Sequence, residues 1–255
     1  MKLSGAEMRL SKAILFLLLC GFCDDISAQS FERVESIIGL EVLTENNGVA
    51  VADFDGDNDL DLFVVAIAKD NPDSPKTLSR LFRNNNDGSF TDVTEFAGLN
   101  SLLSTDEGGD DYFGLAGNKS GVSWGDFNND GFPDLFLTYS FKVQLWKNLG
   151  NGTFEDITAT SGFDDLNECR NTGATWFDYN NDDLIDLHVI NDKLPYVDAL
   201  YKNIGNGQFN DVAVAAGIQN PGHNPMTSSV SDYNNHGFQD VFVTDFNNDV
   251  VIYAY

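Results

Sequence analysis

Basic residues, cysteine and long apolar stretches are all scarce in this chain of 255 residues. It has 14 lysines and arginines against 40 aspartates and glutamates, so its formal net charge is −26 at pH 7. A polyanion is not attracted to nucleic acid or to anionic lipid, and we expect neither as a partner. Because 42% of the residues are hydrophobic, the chain can still bury a core, and its acidity does not indicate general disorder.

A single long apolar run, AILFLLLCGF at 13–22, follows several basic residues and precedes the sequence ISA at 26–28. This order predicts a signal peptide at 1–28 and an exported domain at 29–255. No later stretch is apolar enough to span a membrane. We therefore expect a secreted or cell-surface protein, located in the periplasm or on the outer surface if it is bacterial.

Only three cysteines occur in the sequence. Cleavage near Ala28 would remove Cys20 and Cys23 and leave Cys169 alone. An exported domain with one cysteine has no internal disulfide, so something other than sulfur must stabilise the fold.

The sequence also lacks a sustained spacing of apolar residues at about 3.6 positions, which would indicate helices. It contains an internal repeat instead. Four stretches align without a gap, and a glycine-containing block with two short apolar runs follows the first three. The stretches are GVAVADFDGDNDLDLFVV from Gly48, GVSWGDFNNDGFPDLFLT from Gly121, GATWFDYNNDDLIDLHVI from Gly173 and TSSVSDYNNHGFQDVFVT from Thr227.

About four strands per repeat of roughly 50 residues predict an all-β fold, a β-propeller of about four repeats. The repeats lie near 48–99, 121–163, 173–218 and 227–255. The segment FERVESIIGL at 31–40 resembles the end of a repeat, which predicts a partial closing strand. The pattern leaves open whether the chain is complete or is the first part of a larger propeller.

Each of the four stretches contains an acidic loop of nine positions, with oxygen-bearing side chains at positions 1, 3, 5 and 9 in the first three loops and at positions 1, 3 and 9 in the fourth. Free carboxylates about 5 Å apart repel each other by roughly 3 kcal/mol, and one bound cation turns that repulsion into attraction. Calcium takes about six to eight oxygens in irregular geometry, so we predict a calcium site in each loop. The predicted side-chain ligands are Asp53, Asp55, Asp57 and Asp61; Asp126, Asn128, Asp130 and Asp134; Asp178, Asn180, Asp182 and Asp186; and Asp232, Asn234 and Asp240.

Position 7 is predicted to add a backbone carbonyl, from Asp59, Phe132 or Leu184. The fourth loop has His236 at position 5, where calcium prefers oxygen, so it is expected to be empty or weaker. An EF-hand is excluded because position 12 carries an apolar residue within a predicted strand. The alternative is that the loops are acidic turns that bind no metal. Because four such loops recur at the same position in their repeats, this alternative is the weaker one.

The acidic loop, the strand after it and the later pattern L-[FWY]-[RK]-N-x-G-x-G-x-F resemble the FG-GAP/VCBS repeats of integrin alpha-chain propellers and related secreted proteins. The resemblance covers nearly all of 31–255. It implies a calcium-stiffened β-propeller that serves in adhesion, ligand binding or scaffolding outside the cell. Such propellers often have seven blades, whereas this chain supplies about four.

We expect a non-enzymatic protein whose partner is an extracellular protein or a glycan; the sequence leaves its oligomeric state open. The sequence GVSWG at 121–125 fits the nucleophile motif G-x-S-x-G, but a metal loop follows it instead of the required helix. Two alternatives remain: an enzyme acting on extracellular polysaccharide, with residues drawn from the insert at 104–120, or a scaffold within a longer polypeptide.

Overall fold

The computed structural model describes residues 46–66, 79–99, 119–139, 142–163, 165–166, 169–191, 197–219, 224–246 and 251–254. The expected signal peptide at 1–28, the expected closing strand at 31–40 and most of the insert at 104–120 lie outside these residues. No helix in the described ranges is long and apolar enough to cross a membrane.

In the part of the chain that the structure describes, fifteen strands form four antiparallel sheets, each built from one repeat in simple up-and-down order. Sheet 1 contains β1 (Asn46–Ala52), β2 (Asp61–Ala66), β3 (Arg80–Asn84) and β4 (Phe90–Asp92). Sheet 2 contains β5 (Lys119–Gly125), β6 (Asp134–Tyr139), β7 (Lys142–Asn148) and β8 (Phe154–Asp156).

Sheet 3 contains β9 (Asn171–Phe177), β10 (Asp186–Asn191), β11 (Ala199–Asn203) and β12 (Phe209–Asp211). Sheet 4 contains β13 (Pro225–Ser231), β14 (Asp240–Asp245) and β15 (Val251–Tyr253). Short helical elements among the described residues include a 3-10 turn at Thr158–Thr160 and a one-turn helix at Ala213–Ala216. The predicted all-β fold is confirmed.

The first strands of consecutive sheets contact each other, β1 with β5, β5 with β9 and β9 with β13. This is the arrangement of neighbouring propeller blades, each a four-stranded meander beside the next. Every residue of β6 and of β10 is buried, because sheets 2 and 3 each have a neighbouring sheet on both faces. These strands are therefore buried along their whole length rather than at alternate positions, and they enclose polar residues such as Asp134 and Asp186 as well as apolar ones.

Three apolar cores fill the spaces between consecutive sheets. Trp124 meets Phe63 of sheet 1 edge-on at 6.3 Å, and Trp176 meets Phe136 of sheet 2 edge-on at 6.0 Å. Both tryptophans therefore pack between neighbouring repeats. An apolar groove of about 370 Å³ lies against the third core, beside Tyr179.

The hairpin turns contain residues in the left-handed conformation. Gly150, Gly152, Gly205 and Gly207 all have positive φ. At position 6 of the acidic loops, Asn58 and Asp183 adopt φ of 71° and 66° in place of the glycine of the other two loops. Asparagine and aspartate tolerate this left-handed conformation better than other residues with side chains.

Candidate metal centre

Each acidic loop connects the first two strands of its sheet at the same register. The last residue of the first strand pairs with the position-9 aspartate, as Ala52 does with Asp61 and Gly125 with Asp134. The same pairing joins Phe177 to Asp186 and Ser231 to Asp240. All four loops therefore hold their position-9 carboxylate at the start of a strand.

The position-1 carboxylate organises each loop by accepting hydrogen bonds from backbone amides at its apex. Asp53 accepts from the N–H groups of Gly56, Asp57 and Asn58 at 2.8, 3.1 and 2.9 Å. In each of the other three loops, the position-1 carboxylate accepts hydrogen bonds from the backbone N–H groups of positions 5 and 6, at 2.8–3.1 Å. The donors are Asp130 and Gly131 for Asp126, Asp182 and Asp183 for Asp178, and His236 and Gly237 for Asp232. A short polar side chain thus closes the turn locally.

The position-9 carboxylate is buried and is held by two backbone amides. Asp134 accepts from Phe127 N–H at 3.2 Å and from Asn148 N–H at 2.8 Å. Asp61 and Asp186 make the corresponding pair of bonds in sheets 1 and 3. Asp240 accepts from Tyr233 N–H at 3.2 Å.

Burial raises the pKa of Asp134 to about 7, and the pKa values of Asp61 and Asp186 to about 6. Burial and then the charge of Asp57 also raise the pKa of Asp55. A carboxylate that is costly to ionise gains from a nearby positive charge. The electrostatics of these loops therefore favour a cation among the carboxylates.

The first loop fits a cation best. Carboxylate oxygens of Asp53, Asp55 and Asp61 lie within 4.8 Å of one another. One oxygen of Asp55 and one of Asp59 are buried and accept no hydrogen bond from the described residues. Buried polar atoms normally have a partner, so these two oxygens are available to a ligand. An all-oxygen donor set suits a hard cation such as calcium.

The second and third loops replace the position-3 carboxylate by an amide. Asn128 and Asn180 each accept the N–H of the position-5 aspartate, at 2.9 and 3.1 Å. In the third loop the Lys202 ammonium lies 3.0 Å from a carboxylate oxygen of Asp182. That ammonium competes with a cation for Asp182, a feature that the sequence pattern did not predict.

The fourth loop places an imidazole among its acids. His236 Nδ1 lies 3.5 Å from Asp232, and His236 Nε2 lies 3.8 Å from Asp240. His236 Nδ1 also accepts the Phe238 N–H at 3.1 Å. A weak or empty fourth site stays a prediction, and so does metal binding by Asn234.

Two buried asparagines that sequence reasoning missed connect neighbouring sheets beneath the loops. The side-chain amide of Asn148 donates to the carbonyl of Phe54 in the first loop, and that of Asn203 donates to the carbonyl of Phe127 in the second, both at 2.7 Å. Asn84 occupies the same position in sheet 1 and donates to Leu60 of its own loop. The recurring asparagine of the L-[FWY]-[RK]-N motif was the signal for this role.

Two exposed asparagines connect the loop apices directly. Asn129 at position 4 of the second loop donates to the carbonyl of Asp183 in the third, at 2.8 Å. Asn181 at position 4 of the third loop donates to the carbonyl of Gly237 in the fourth, also at 2.8 Å. The first loop has Gly56 at this position and no side chain to make such a bond.

Comparison with known proteins gives a family match and two structural similarities. Residues 53–137 and 126–189 match the model of an FG-GAP-like repeat. No curated protein gives a significant match. The solved structures that match include an Agrocybe aegerita lectin described as specifically recognising non-reducing terminal N-acetylglucosamine, and BBS1N in complex with ARL6DN.

The lectin is 17% identical with a TM-score of 0.44, and the match covers 78% of this chain and 47% of the lectin. BBS1N is 10% identical with a TM-score of 0.45, and the match covers 82% of this chain and 53% of BBS1N. The chain therefore spans about half the length of the solved structures that it matches.

Proposed function

Because the chain belongs to the family of FG-GAP-like repeat proteins, matched over more than half its length, we propose that it is a calcium-binding β-propeller with a structural metal. The first loop carries this proposal: the carboxylates of Asp53, Asp55 and Asp61 converge, and one oxygen each of Asp55 and Asp59 accepts no hydrogen bond from the described residues. Asp53, Asp55, Asp57 and Asp61 would hold the ion, with the carbonyl of Asp59. The ion would supply the positive charge that offsets the repulsion among these carboxylates.

The chain's own residues prepare the loop for this role. Backbone amides hold the carboxylates of Asp53 and Asp61 in place, so little ordering of these two side chains is left for binding. Ligands fixed before binding lose less conformational freedom, which favours affinity. We propose the same role for the second and third loops, with a weaker site where Lys202 already neutralises Asp182.

Calorimetric titration of the full chain with calcium chloride, together with thermal melts with and without chelator, tests the proposal. We expect about three or four bound ions and a melting temperature that chelator lowers. The variant Asp55→Asn should bind one ion fewer or bind it much more weakly. Asp87→Asn is the matched control, because Asp87 accepts the Ser89 N–H in a hairpin turn outside the acidic loops. No heat of binding and an unchanged melt in chelator would refute the calcium role.

We propose further that the protein is non-enzymatic, is exported by its first 28 residues, and binds an extracellular protein or a glycan. The location of GVSWG in β5, followed by an acidic loop, supports the non-enzymatic part. An array of glycans and extracellular domains, probed with and without calcium, tests for a partner. Release of reducing ends or unsaturated sugars from a polysaccharide would favour the enzymatic alternative instead. N-terminal sequencing of exported protein tests cleavage after Ala28.

A further inference from the structure

The apices of the second, third and fourth loops are tied to one another through the amides that the position-1 carboxylates also hold. The N–H of Asp183 donates to Asp178 at 2.8 Å, while the carbonyl of Asp183 accepts from Asn129 at 2.8 Å. The N–H of Gly237 donates to Asp232 at 2.8 Å, while its carbonyl accepts from Asn181 at 2.8 Å. Asp183 and Gly237 are therefore each hydrogen-bonded both within their own loop and to the loop before it.

The bridging asparagines themselves lie between predicted ligands. Asn129 separates Asn128 from Asp130, and its φ of 57° is fixed by the turn. Asn181 separates Asn180 from Asp182, with the same φ of 57°. A bridge that orients position 4 therefore also orients positions 3 and 5, whose side-chain oxygens are the predicted donors.

We propose that the loops take up cations as a coupled set, with Asn129 and Asn181 as positioning residues that transmit order from one loop to the next. This inference rests on the proposed calcium binding. Ordering one loop around its ion fixes the apex carbonyl, which holds the neighbouring asparagine and lowers the entropic cost of ordering the next loop. Coupling between sites is reciprocal, so loss of either ion weakens binding of the other.

The pattern of bridges predicts where coupling is strongest. Loops 2 and 3 share two bridges, from exposed Asn129 and from buried Asn203. Loops 3 and 4 share one bridge, from Asn181, and loops 1 and 2 share one, from Asn148. The second and third loops are therefore the pair to test.

The experiment measures the calcium midpoint of the second loop while the third loop is weakened. The amide NMR signal of Gly131 reports the second loop, because its N–H donates to Asp126 at 2.8 Å. Asp182→Asn weakens the third loop by removing one charge. Asn129→Gly removes the bridge and keeps the backbone, since Gly56 has the same place in the first loop with φ of 77°. All variants are made in the full chain.

We expect Asp182→Asn to raise the calcium midpoint at Gly131 about fivefold, the lower end of couplings measured between sites. In the Asn129→Gly background the same substitution should raise that midpoint by clearly less than fivefold, with any remaining effect carried by the Asn203 bridge. Asn235→Gly is the matched control: Asn235 has the same loop position and a φ of 59°, and its side chain bridges to no other loop among the described residues. It should preserve the fivefold effect.

The outcomes separate the two proposals. A Gly131 signal that responds to calcium but ignores Asp182→Asn would overturn the coupling and leave the calcium sites intact. A fivefold effect that persists in Asn129→Gly would overturn the role of that asparagine as the positioning residue. Absence of any response at Gly131, with no heat of binding, would refute calcium binding itself and the coupling with it.

Discussion

His188 occupies a position that phenylalanine holds in the other three sheets, as Phe63, Phe136 and Phe242. It is fully buried in β10, with no hydrogen-bond partner for either ring nitrogen among the described residues. The closest acidic atom, an oxygen of Asp198, lies 4.0 Å from Nε2. Burial lowers the pKa of His188 to about 4 from its usual 6.5. The folded chain therefore holds this imidazole neutral.

The protonation of His188 makes stability depend on pH. Between about pH 6.5 and pH 4 the unfolded chain binds a proton that the folded chain does not, so stability falls as the pH falls through this window. The loss from this group is about 3 kcal/mol. The substitution His188→Phe should remove this loss of stability. Urea unfolding at pH 7 and at pH 4, both in chelator, measures the free energy of unfolding of the two chains. His236→Asn, at an exposed histidine, is the control. If His188→Phe lost as much stability between pH 7 and pH 4 as the natural chain does, this assignment would be contradicted.

Single residues also show how far the sequence could predict the site. The carboxylates of the first loop were predictable because their spacing is local, and one turn brings Asp53, Asp55 and Asp61 together. The bridges were not, because Asn148 and its acceptor Phe54 lie 94 residues apart and meet only where two sheets stack. The pairing of Lys202 with Asp182 has the same cause, since it depends on how β11 passes the third loop.

At the scale of elements, the close approach of β5 to β9 depends on glycine. A Cβ on Gly121 would lie 3.0 Å from the Thr138 hydroxyl oxygen and 3.1 Å from the carbonyl of Thr172 in the neighbouring repeat. Gly48 has the same position in β1, yet a Cβ there would meet Val65 at an ordinary 4.0 Å. The repeat conserves the residue type in both places, but only the structure shows which one is sterically required.

We therefore expect Gly121→Ala to destabilise the protein by about 1–3 kcal/mol, because backbone atoms must move to admit the methyl group. Gly48→Ala should change the free energy of unfolding by less than about 0.5 kcal/mol, as surface substitutions usually do. Urea unfolding of both variants in saturating calcium provides the comparison. Equal effects of the two substitutions would contradict the close sheet contact.

The second strand of each sheet was the most predictable element. The runs LDLFVV, PDLFLT, IDLHVI and QDVFVT coincide with β2, β6, β10 and β14 within one residue at each end. Their apolar side chains and bounding turn residues are local signals. The fourth strands were harder to delimit, because β4, β8 and β12 have three residues each and the last two residues of each are exposed.

For the whole molecule, the formal charge of −26 opposes compaction when the loops hold no cation. Salt screens charges at the surface, so raising NaCl from about 20 mM to about 200 mM should stabilise the chelated chain. A gain of about 1 kcal/mol corresponds to a rise in melting temperature of about 2–4 °C for a chain of this size. The rise should be smaller in saturating calcium. Scanning calorimetry of both states at the two salt concentrations checks this, and a chelated chain insensitive to NaCl would contradict it.

The three separate cores have a consequence for how the chain is built. Each core is made by two repeats that follow one another in the sequence, and none of the three includes a described residue from a more distant repeat. Folding can therefore proceed in chain order, with each emerging repeat completing the interface left half-made by the one before it. A polypeptide that leaves the cell N-terminus first would at every stage expose a single unfinished interface. If the chain is exported as we propose, its exposure to aggregation would depend on the delay between one repeat and the next, and not on the length of the whole chain.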